Sequence, residues 1–405
     1  MNVLFMTLLD FKTIHESGLY QDLMREFEKH GHNVFIISPI ERRKGGKTEI
    51  INDGKALVLK LKIGNIQKTN IFEKGISTIL IEPIFIAGIK RYFSGIKFDF
   101  IIYSTPPITF CNAIKYVKRR DNARTYLLLK DIFPQNAVDL NMMSKTGLKS
   151  FIYGFFRNKE RKLYEISDKI GCMSQANVDY VLAQNPDVDE EKLEICPNSI
   201  EVKNFRLSDE EKLRVRKKYG IPIDKTVFVY GGNLGRPQDV PFIVECLKAC
   251  ADISEAFFVI AGSGTDRHFL EEYVETEQPG HVKLFGQIPK SEYDKMIACC
   301  NVGLIFLDQR FTIPNFPSRL LAYMQAGLPI LACTDTNTDI GEVIVENGFG
   351  WWCESKSVSA FEDRIRAIMR IEKQMLNQMG ARAWHILNEQ YSVTDGYKII
   401  MDSLH

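Results

Sequence analysis

Short apolar runs and longer amphipathic stretches take turns along the chain. Segments 2–9, 33–38, 57–63, 98–104, 124–130, 168–173 and 193–196 are compact aliphatic, β-branched or aromatic runs, and each predicts a strand. Between them the apolar positions open out to helical spacing. Leu19, Leu23 and Phe27 mark one face of a helix opened by Gly18 and running to His30. Segment 71–93 reads as a helix broken or kinked at Pro83. Thr105-Pro106-Pro107 starts another, reaching about Arg120, and Ser174 caps a further one. Pro39 stops the second strand, and the polar, glycine-containing stretch 41–55 predicts a mobile loop or hairpin tip. His30 and His32 flank a turn at Gly31 and read as plain surface groups. A second series of strands follows at 226–230, 256–261, 282–285, 302–306 and 329–333, again with helical patterns between. Strand–helix–strand units of this kind carry parallel strands joined by right-handed crossovers. The pattern therefore predicts an α/β protein with two doubly wound parallel sheets.

A chain of 405 residues is too long for one compact core. The turn Cys196-Pro197-Asn198-Ser199 and the charged linker helix 204–219, closed by Gly220, place the boundary. The expected division is 1–200, 201–390, and a terminal segment 391–405 with a helix at 393–404. Hydrophobic residues at 45% and charged residues at 25% are those of a water-soluble globular protein. No apolar run reaches membrane-spanning length, and Met1–Asp10 reads as a first strand, not a signal peptide. Nine cysteines without a Cys-x-x-Cys pair point to a reducing, cytoplasmic compartment, and no Cys/His cluster has the spacing of metal ligands. The net charge of +1 conceals an asymmetry. Residues 1–162 carry 27 Lys and Arg against 15 Asp and Glu, and residues 163–405 carry 25 against 36. The basic half suits an anionic surface or ligand, or is simply a well-solvated lysine-rich face. It shows no recognition-helix pattern or aromatic platform, which argues against nucleic acid.

The chemistry concentrates at strand ends. Thr226-Val-Phe-Val-Tyr-Gly-Gly-Asn-Leu-Gly-Arg-Pro-Gln-Asp-Val-Pro241 is a buried strand, a glycine loop and a helix start, with Phe242, Ile243, Cys246, Leu247 and Cys250 at helical spacing beyond. Free backbone N–H groups and a helix dipole there suit a phosphate, although an ordinary strand-to-helix turn has the same pattern. In the first half, the loop after the first strand carries His15, Ser17 and Gly18, at the sheet edge where such folds place ligands. The strand 124–130 ends in Lys130-Asp131 at the same edge, where Asp131 is either a functional group or the cap of the next helix. Segment 145–165 interleaves five aromatics (Phe151, Tyr153, Phe155, Phe156, Tyr164) with six bases. It fits an anionic lipid interface, and equally an internal helix with a wet basic face.

The loop Tyr230-Gly-Gly-Asn-Leu-Gly-Arg-Pro-Gln-Asp239, the turn Phe285-Gly-Gln-Ile-Pro289, the segment Phe316-Pro-Ser-Arg-Leu-Leu-Ala-Tyr-Met-Gln-Ala-Gly-Leu-Pro329 and the interdomain Cys196-Pro-Asn-Ser199 together resemble the GT-B glycosyltransferases. The resemblance is to the retaining family-four group, and most of all to its members that make bacterial capsular and surface polysaccharide. It covers nearly the whole chain. It implies two Rossmann-like domains facing across a cleft, an acceptor-binding N-terminal domain, a nucleotide-sugar-binding C-terminal domain, and a final helix crossing back to the first.

The same resemblance assigns the donor to Gly232, Asn233, Leu234, Gly235, Arg236, Gln238, Gly262, Ile288, Ser318, Arg319 and Leu320, with the nucleobase at the backbone of Ile288. It matches the acceptor residue Gly18 to the family's close-approach loop, and Lys130 and Asp131 to the position beside the transferred sugar; the sheet-edge position adds Ser17 to the acceptor site and His15 to the reacting centre. The chain departs from the family at four places. Asn233 and Gln238 stand where relatives hold an Arg and a Lys on the donor diphosphate, and Pro314 and Ala322 stand where they hold a glutamate pair. Arg236 and Arg319 are left to bind phosphate. The implied reaction moves a sugar from a nucleotide-sugar, UDP-linked in preference to GDP-linked, to a lipid-linked saccharide. No metal or other cofactor is expected, and the basic half and segment 145–165 would rest on the inner face of the cytoplasmic membrane. A sugar-nucleotide epimerase of the same architecture and a binding-only relative are the alternatives.

Overall fold

The computed structural model describes residues 1–66, 71–147 and 150–404. Leu148 and Lys149 of the aromatic and basic segment, and the terminal His405, lie outside the described residues. The chain divides into two units, Met1–Glu201 with Val393–His405, and Val202–Ser392.

The first unit is built on eight strands: β1 (Asn2–Met6), β2 (Asn33–Glu41), β3 (Glu49–Asp53), β4 (Ala56–Ile63), β5 (Phe100–Ser104), β6 (Arg124–Leu129), β7 (Lys169–Cys172) and β8 (Leu193–Ile195). Their order is β3-β4-β2-β1-β5-β6-β7-β8, parallel throughout except for β3 on β4. Both faces are covered, which is why the strands read as near-continuous apolar runs. On one face Leu4, Met6, Ile101 and Leu127 meet Ile81, Phe85 and Ile89 of the helix Ile71–Tyr92, and Ile114 and Val117 of Cys111–Asp121. On the other, Val3, Phe5 and Ile102 meet Leu23, Met24 and Phe27 of Leu19–Lys29, together with Val393, Tyr397 and Ile400 of Val393–Asp402.

The second unit holds β9 (Thr226–Asn233), β10 (Ala256–Ser263), β11 (Val282–Phe285), β12 (Val302–Phe306), β13 (Ile330–Thr334) and β14 (Gly350–Glu354), all parallel, in the order β11-β10-β9-β12-β13-β14. Strand order reverses between β1 and β5 in one sheet and between β9 and β12 in the other. Loops leaving neighbouring strands part at such reversals and open a crevice at the carboxyl edge.

Several local expectations are corrected. Pro39 does not end β2. Ile37 turns its carbonyl to Thr7, and Pro39, two residues on, faces the same way beyond the end of β1, where no N–H is needed. Pro83 does not break its helix: Ile71–Tyr92 runs through it, with Ile81, Phe85 and Ile89 buried against an interior-proline cost of about 3 kcal/mol. Residues 105–110 are not helical, because consecutive prolines disfavour helical backbone at the residue before each, and the helix begins at Cys111. Of the two readings of stretch 41–55 the hairpin holds, with β3 inside the stretch and paired antiparallel with β4 about the turn Gly54-Lys55. Ser174 occupies the cap position but bonds Asn177 Oδ1 at 3.2 Å instead of the backbone. The linker helix starts at Asp209, where Ser208 and Glu211 form a reciprocal capping box. His30 and His32 are not plain surface groups. His30 stacks on Tyr397 at 4.1 Å and His32 Nε2 lies 2.8 Å from the Tyr397 hydroxyl, seating the final helix.

Gly380 shows which force decides at a helix contact. Alanine is worth about 1 kcal/mol more than glycine inside a helix. A Cβ at Gly380, however, would stand 1.9 Å from the Gly327 carbonyl oxygen, and backbone cannot swing aside. Gly380→Ala is expected to destabilise the second unit by about 1–3 kcal/mol in urea titrations; a stabilised variant would show that propensity wins.

Candidate functional site

In the second unit the site grows from close backbone packing. Gly232 pairs with Gly262 across β9 and β10, and a Cβ on Gly262 would meet the Gly232 oxygen at 1.9 Å. Gly264 likewise lies against the Leu234 carbonyl. Gly232 itself has φ +125°, a conformation that side chains resist. The loop is then braced from within. Gln238 is buried, and its Oε1 accepts from Asn233 Nδ2 at 2.8 Å and from the Gly235 amide at 3.3 Å. The two neutral amides at the positions of the family's Arg and Lys are thus spent on each other and on the loop.

Arg319 opens the helix Arg319–Gln325, which the chain reaches after β12, across the strand reversal from the glycine loop. Its guanidinium lies 4.4 Å from the Tyr230 ring centroid and beside Gly232. Nη1 is buried with no hydrogen-bond partner, and among the described residues no carboxylate pairs with it. A buried charged donor left unpaired costs several kcal/mol unless a ligand completes it. Arg236 is exposed on the single turn Arg236–Gln238, so Arg319 is the enclosed cation of the pair. Leu234 and Leu320 were expected at the donor, but both side chains are fully buried in the core. Leu234 contributes backbone alone, bonding Ser263 and Asp266. Ser318 is exposed, and Ile288 is half-buried in the loop after β11. Arg267 Nη1 donates to Gly262 and Phe285, both at 2.6 Å, and ties the ends of β10 and β11.

No carboxylate stands at Pro314 or Ala322, yet acids are near in the chain. Asp308 is fully buried and paired with Arg310 at 2.5 Å. Burial pushes Asp335 up to about 6, although its Oδ1 accepts from the Asn337 and Thr338 amides.

In the first unit, the Thr105 hydroxyl accepts from the amides of Lys130 and Asp131 at 3.0 and 3.1 Å. Asp131 is not a helix cap, because Pro134 holds that position for Gln135–Asp139. Asn136 Nδ2 donates to Asp131 Oδ1 at 2.8 Å, while Asn136 Oδ1 and Thr109 Oγ1 are buried without partners. Burial raises the Asp131 carboxyl to about 6 and the Tyr20 phenol to about 12, with the Asp131 charge adding to the second. Burial also lowers Lys130, whose Nζ donates to Cys196 O at 3.2 Å in a small cavity shared with Tyr20, Asn198 and Ser199. Tyr20 and Asn136 gave no signal in sequence beyond lying near strand ends. His15 is exposed and pairs with Asp53 at 3.4 Å, and no hydrogen bond or ion pair among the described residues joins it to Lys130 or Asp131. Ser17 is exposed, and the Gly18 amide bonds Asp22 at the start of Leu19–Lys29.

The aromatic and basic segment forms the helix Ser150–Ile166. Its second half is docked through Leu163 and Tyr164, with Arg157 on Glu160 and Lys159 on Glu82 of Ile71–Tyr92. In its first turns Phe156 packs on Phe133, but Phe151 is 82% exposed and Ile152 and Phe155 are exposed too. Ile79 and Leu80 of Ile71–Tyr92 are also exposed. No helix of the described residues is long and apolar enough to cross a membrane, and none of their His, Cys, Asp and Glu side chains gather in threes as metal ligands.

Residues 211–385 match the family described as glycosyl transferases group 1. The chain carries a group 1 glycosyl transferase domain. This transferase domain holds the glycine loop and Arg319 together. A Pseudomonas aeruginosa protein named probable glycosyltransferase WbjE is 22% identical over 327 residues, 80% of this chain and 78% of its own. An Escherichia coli strain K12 protein, provisionally named colanic acid biosynthesis glycosyl transferase WcaI, is 22% identical over 282 residues, 68% of each chain. The structure of Anabaena Alr3699/HepE in complex with UDP superposes with a TM-score of 0.71 at 11% identity, covering 100% of this chain and 99% of that one. With the transferase domain and the unit ahead of it each a Rossmann-like sheet, the fold is GT-B.

Asp131 carries a pH dependence of definite sign. A carboxyl raised from its usual value near 4 to about 6 opposes folding once ionised. Its contribution to stability therefore falls as pH rises from about 4 to about 6 and is fully lost above. Relative to wild type, Asp131→Asn is expected to gain about 1–3 kcal/mol at pH 7.5 and nothing at pH 4, read from urea unfolding at the two pH values. An equal change at both would remove the carboxyl as the cause.

Proposed function

We propose that the chain transfers a sugar from a nucleotide-sugar, UDP-linked in preference to GDP-linked, to a lipid-linked saccharide during synthesis of a bacterial capsular or surface polysaccharide. The observation that carries this reading is the buried, unpartnered Nη1 of Arg319 beside the glycine loop. A diphosphate is the anion that would complete it while accepting from the loop amides. The UDP named in the Anabaena structure supports the nucleotide, and the colanic acid relative supports the polysaccharide.

In the proposed reaction the glycosidic C–O bond to the diphosphate breaks and the acceptor oxygen bonds the anomeric carbon. Charge grows on the leaving phosphate, where Arg319 and the loop amides stabilise it. No metal is needed for that role. With retention of configuration, the leaving phosphate takes the acceptor proton on the same face. Asp131, held by Asn136, positions a hydroxyl, since the carboxylate and the free Asn136 Oδ1 both accept hydrogen bonds. Lys130 lies beside it in the neighbouring cavity. Epimerisation is disfavoured, because the curated relatives compared above are named as glycosyl transferases.

For the acceptor's lipid, the exposed Phe151, Ile152 and Phe155 would enter an anionic interface on the cytoplasmic side of the membrane. Calorimetry is expected to show UDP binding that weakens by about tenfold to a hundredfold in Arg319→Ala, the worth of a hydrogen-bonded charge; unchanged affinity would refute the donor reading. Phe151→Ser with Phe155→Ser should lower co-sedimentation with phosphatidylglycerol vesicles, and equal pelleting would end the membrane reading.

A further inference from the structure

Three tyrosines from three different elements surround Arg319. Tyr230, on β9, lies under the guanidinium. Tyr323 follows one turn after Arg319 in the same helix, is fully buried, and its hydroxyl accepts from the Gly231 amide at 3.1 Å. Tyr293, from the helix Lys290–Ala298, lies beside Tyr323 and Arg319. It also fills the space that a side chain at residue 231 would need, since a Cβ there would stand 1.6 Å from the Tyr293 hydroxyl. Gly231 is therefore a glycine because a phenol occupies its side-chain position. The Tyr230 hydroxyl in turn donates to the Asn233 carbonyl at 2.6 Å.

This arrangement does two things that an ordinary ion pair would not. A carboxylate beside Arg319 would hold it in place and cancel its charge. Phenol rings hold a guanidinium by cation–π attraction and leave the charge uncancelled. Burial raises all three phenols well away from neutral pH, so none ionises to take the carboxylate's part. The same phenols hold the loop backbone, Tyr323 and Tyr230 by hydrogen bonds and Tyr293 by filling the space beside Gly231, so one packed group sets the cation and the amides that face a phosphate.

We infer that Tyr293 and Tyr323 are positioning residues for the phosphates of the donor, locking the Gly231 backbone to the Arg319 cage. The inference rests on the donor reading above. It makes the nucleoside's phosphates, and not its base, the moiety these phenols serve.

The test compares UDP with uridine on the wild type, Tyr293→Phe, Tyr323→Phe and Arg319→Ala, by calorimetry for UDP and ligand-observed NMR for uridine. Melting temperatures are recorded for each variant. The expected result is a roughly fivefold to tenfold loss of UDP affinity in each phenylalanine variant with uridine binding unchanged. If Arg319→Ala weakens UDP while both phenylalanine variants bind it as wild type does, the positioning role is wrong and the donor reading stands. If uridine and UDP weaken in parallel, the phenols support the fold generally and the inference is overturned. If Arg319→Ala leaves UDP binding untouched, the donor reading falls and this inference with it.

Discussion

An arginine whose charge nothing in its own unit cancels governs the second sheet's carboxyl edge. Arg319 rests on Tyr230 and keeps one buried nitrogen unbonded. Such a group raises the energy of the empty protein and lowers that of a complex with an anion, which is how a site acquires preference before any ligand arrives. The neighbouring features follow from that constraint. The loop must bring backbone amides close, so glycines stand where β-carbons would strike backbone or phenol oxygens. The loop must not move, so Gln238 and Asn233 bond each other within it.

Replacement of charged loop residues by Asn233 and Gln238 shifts the electrostatic work. A family member with a loop arginine and lysine spreads positive charge along the phosphates. Here the enclosed charge sits at one point, and on the proposed donor reading a braced loop would stand in for the missing charges. A fixed donor loses little on binding, whereas a flexible lysine must be ordered first. Neutral amides that brace the loop and one caged guanidinium form a coherent alternative.

The first unit uses the opposite device. Its sheet edge buries a carboxyl and an amine next to each other in sequence, and burial moves both toward neutrality, Asp131 upward and Lys130 downward. An unsatisfied oxygen on Asn136 lies beside the Asp131 carboxyl. On the proposed reading, this edge would exchange hydrogen bonds with hydroxyl groups and hold no permanent charge. The final helix contributes by closing the sheet's other face through Tyr397, between His30 and His32.

Hydrophobic periodicity in the sequence determined most of the architecture. Strands and helices buried on a constant face announce themselves at spacings of two and 3.6, and most of β1 to β13 lies within the runs read from that pattern. Two edge strands fell outside those runs: β3 buries no residue and β14 only two, whereas the edge strands β8 and β11 were read from short apolar runs. The glycine loop and Arg319 were legible because their chemistry is carried by residue type. The rest was settled only in three dimensions. Whether Leu234 and Leu320 meet ligand or core, whether Pro39 ends a strand, and which phenols enclose Arg319 depend on partners distant in the chain. Tyr230, Tyr293 and Tyr323 are separated by 63 and 30 positions, and no local pattern encodes that they share one cation. Sequence fixes what each residue can do, and packing chooses its neighbours, because burial, desolvation and hydrogen-bond satisfaction are properties of the assembled core.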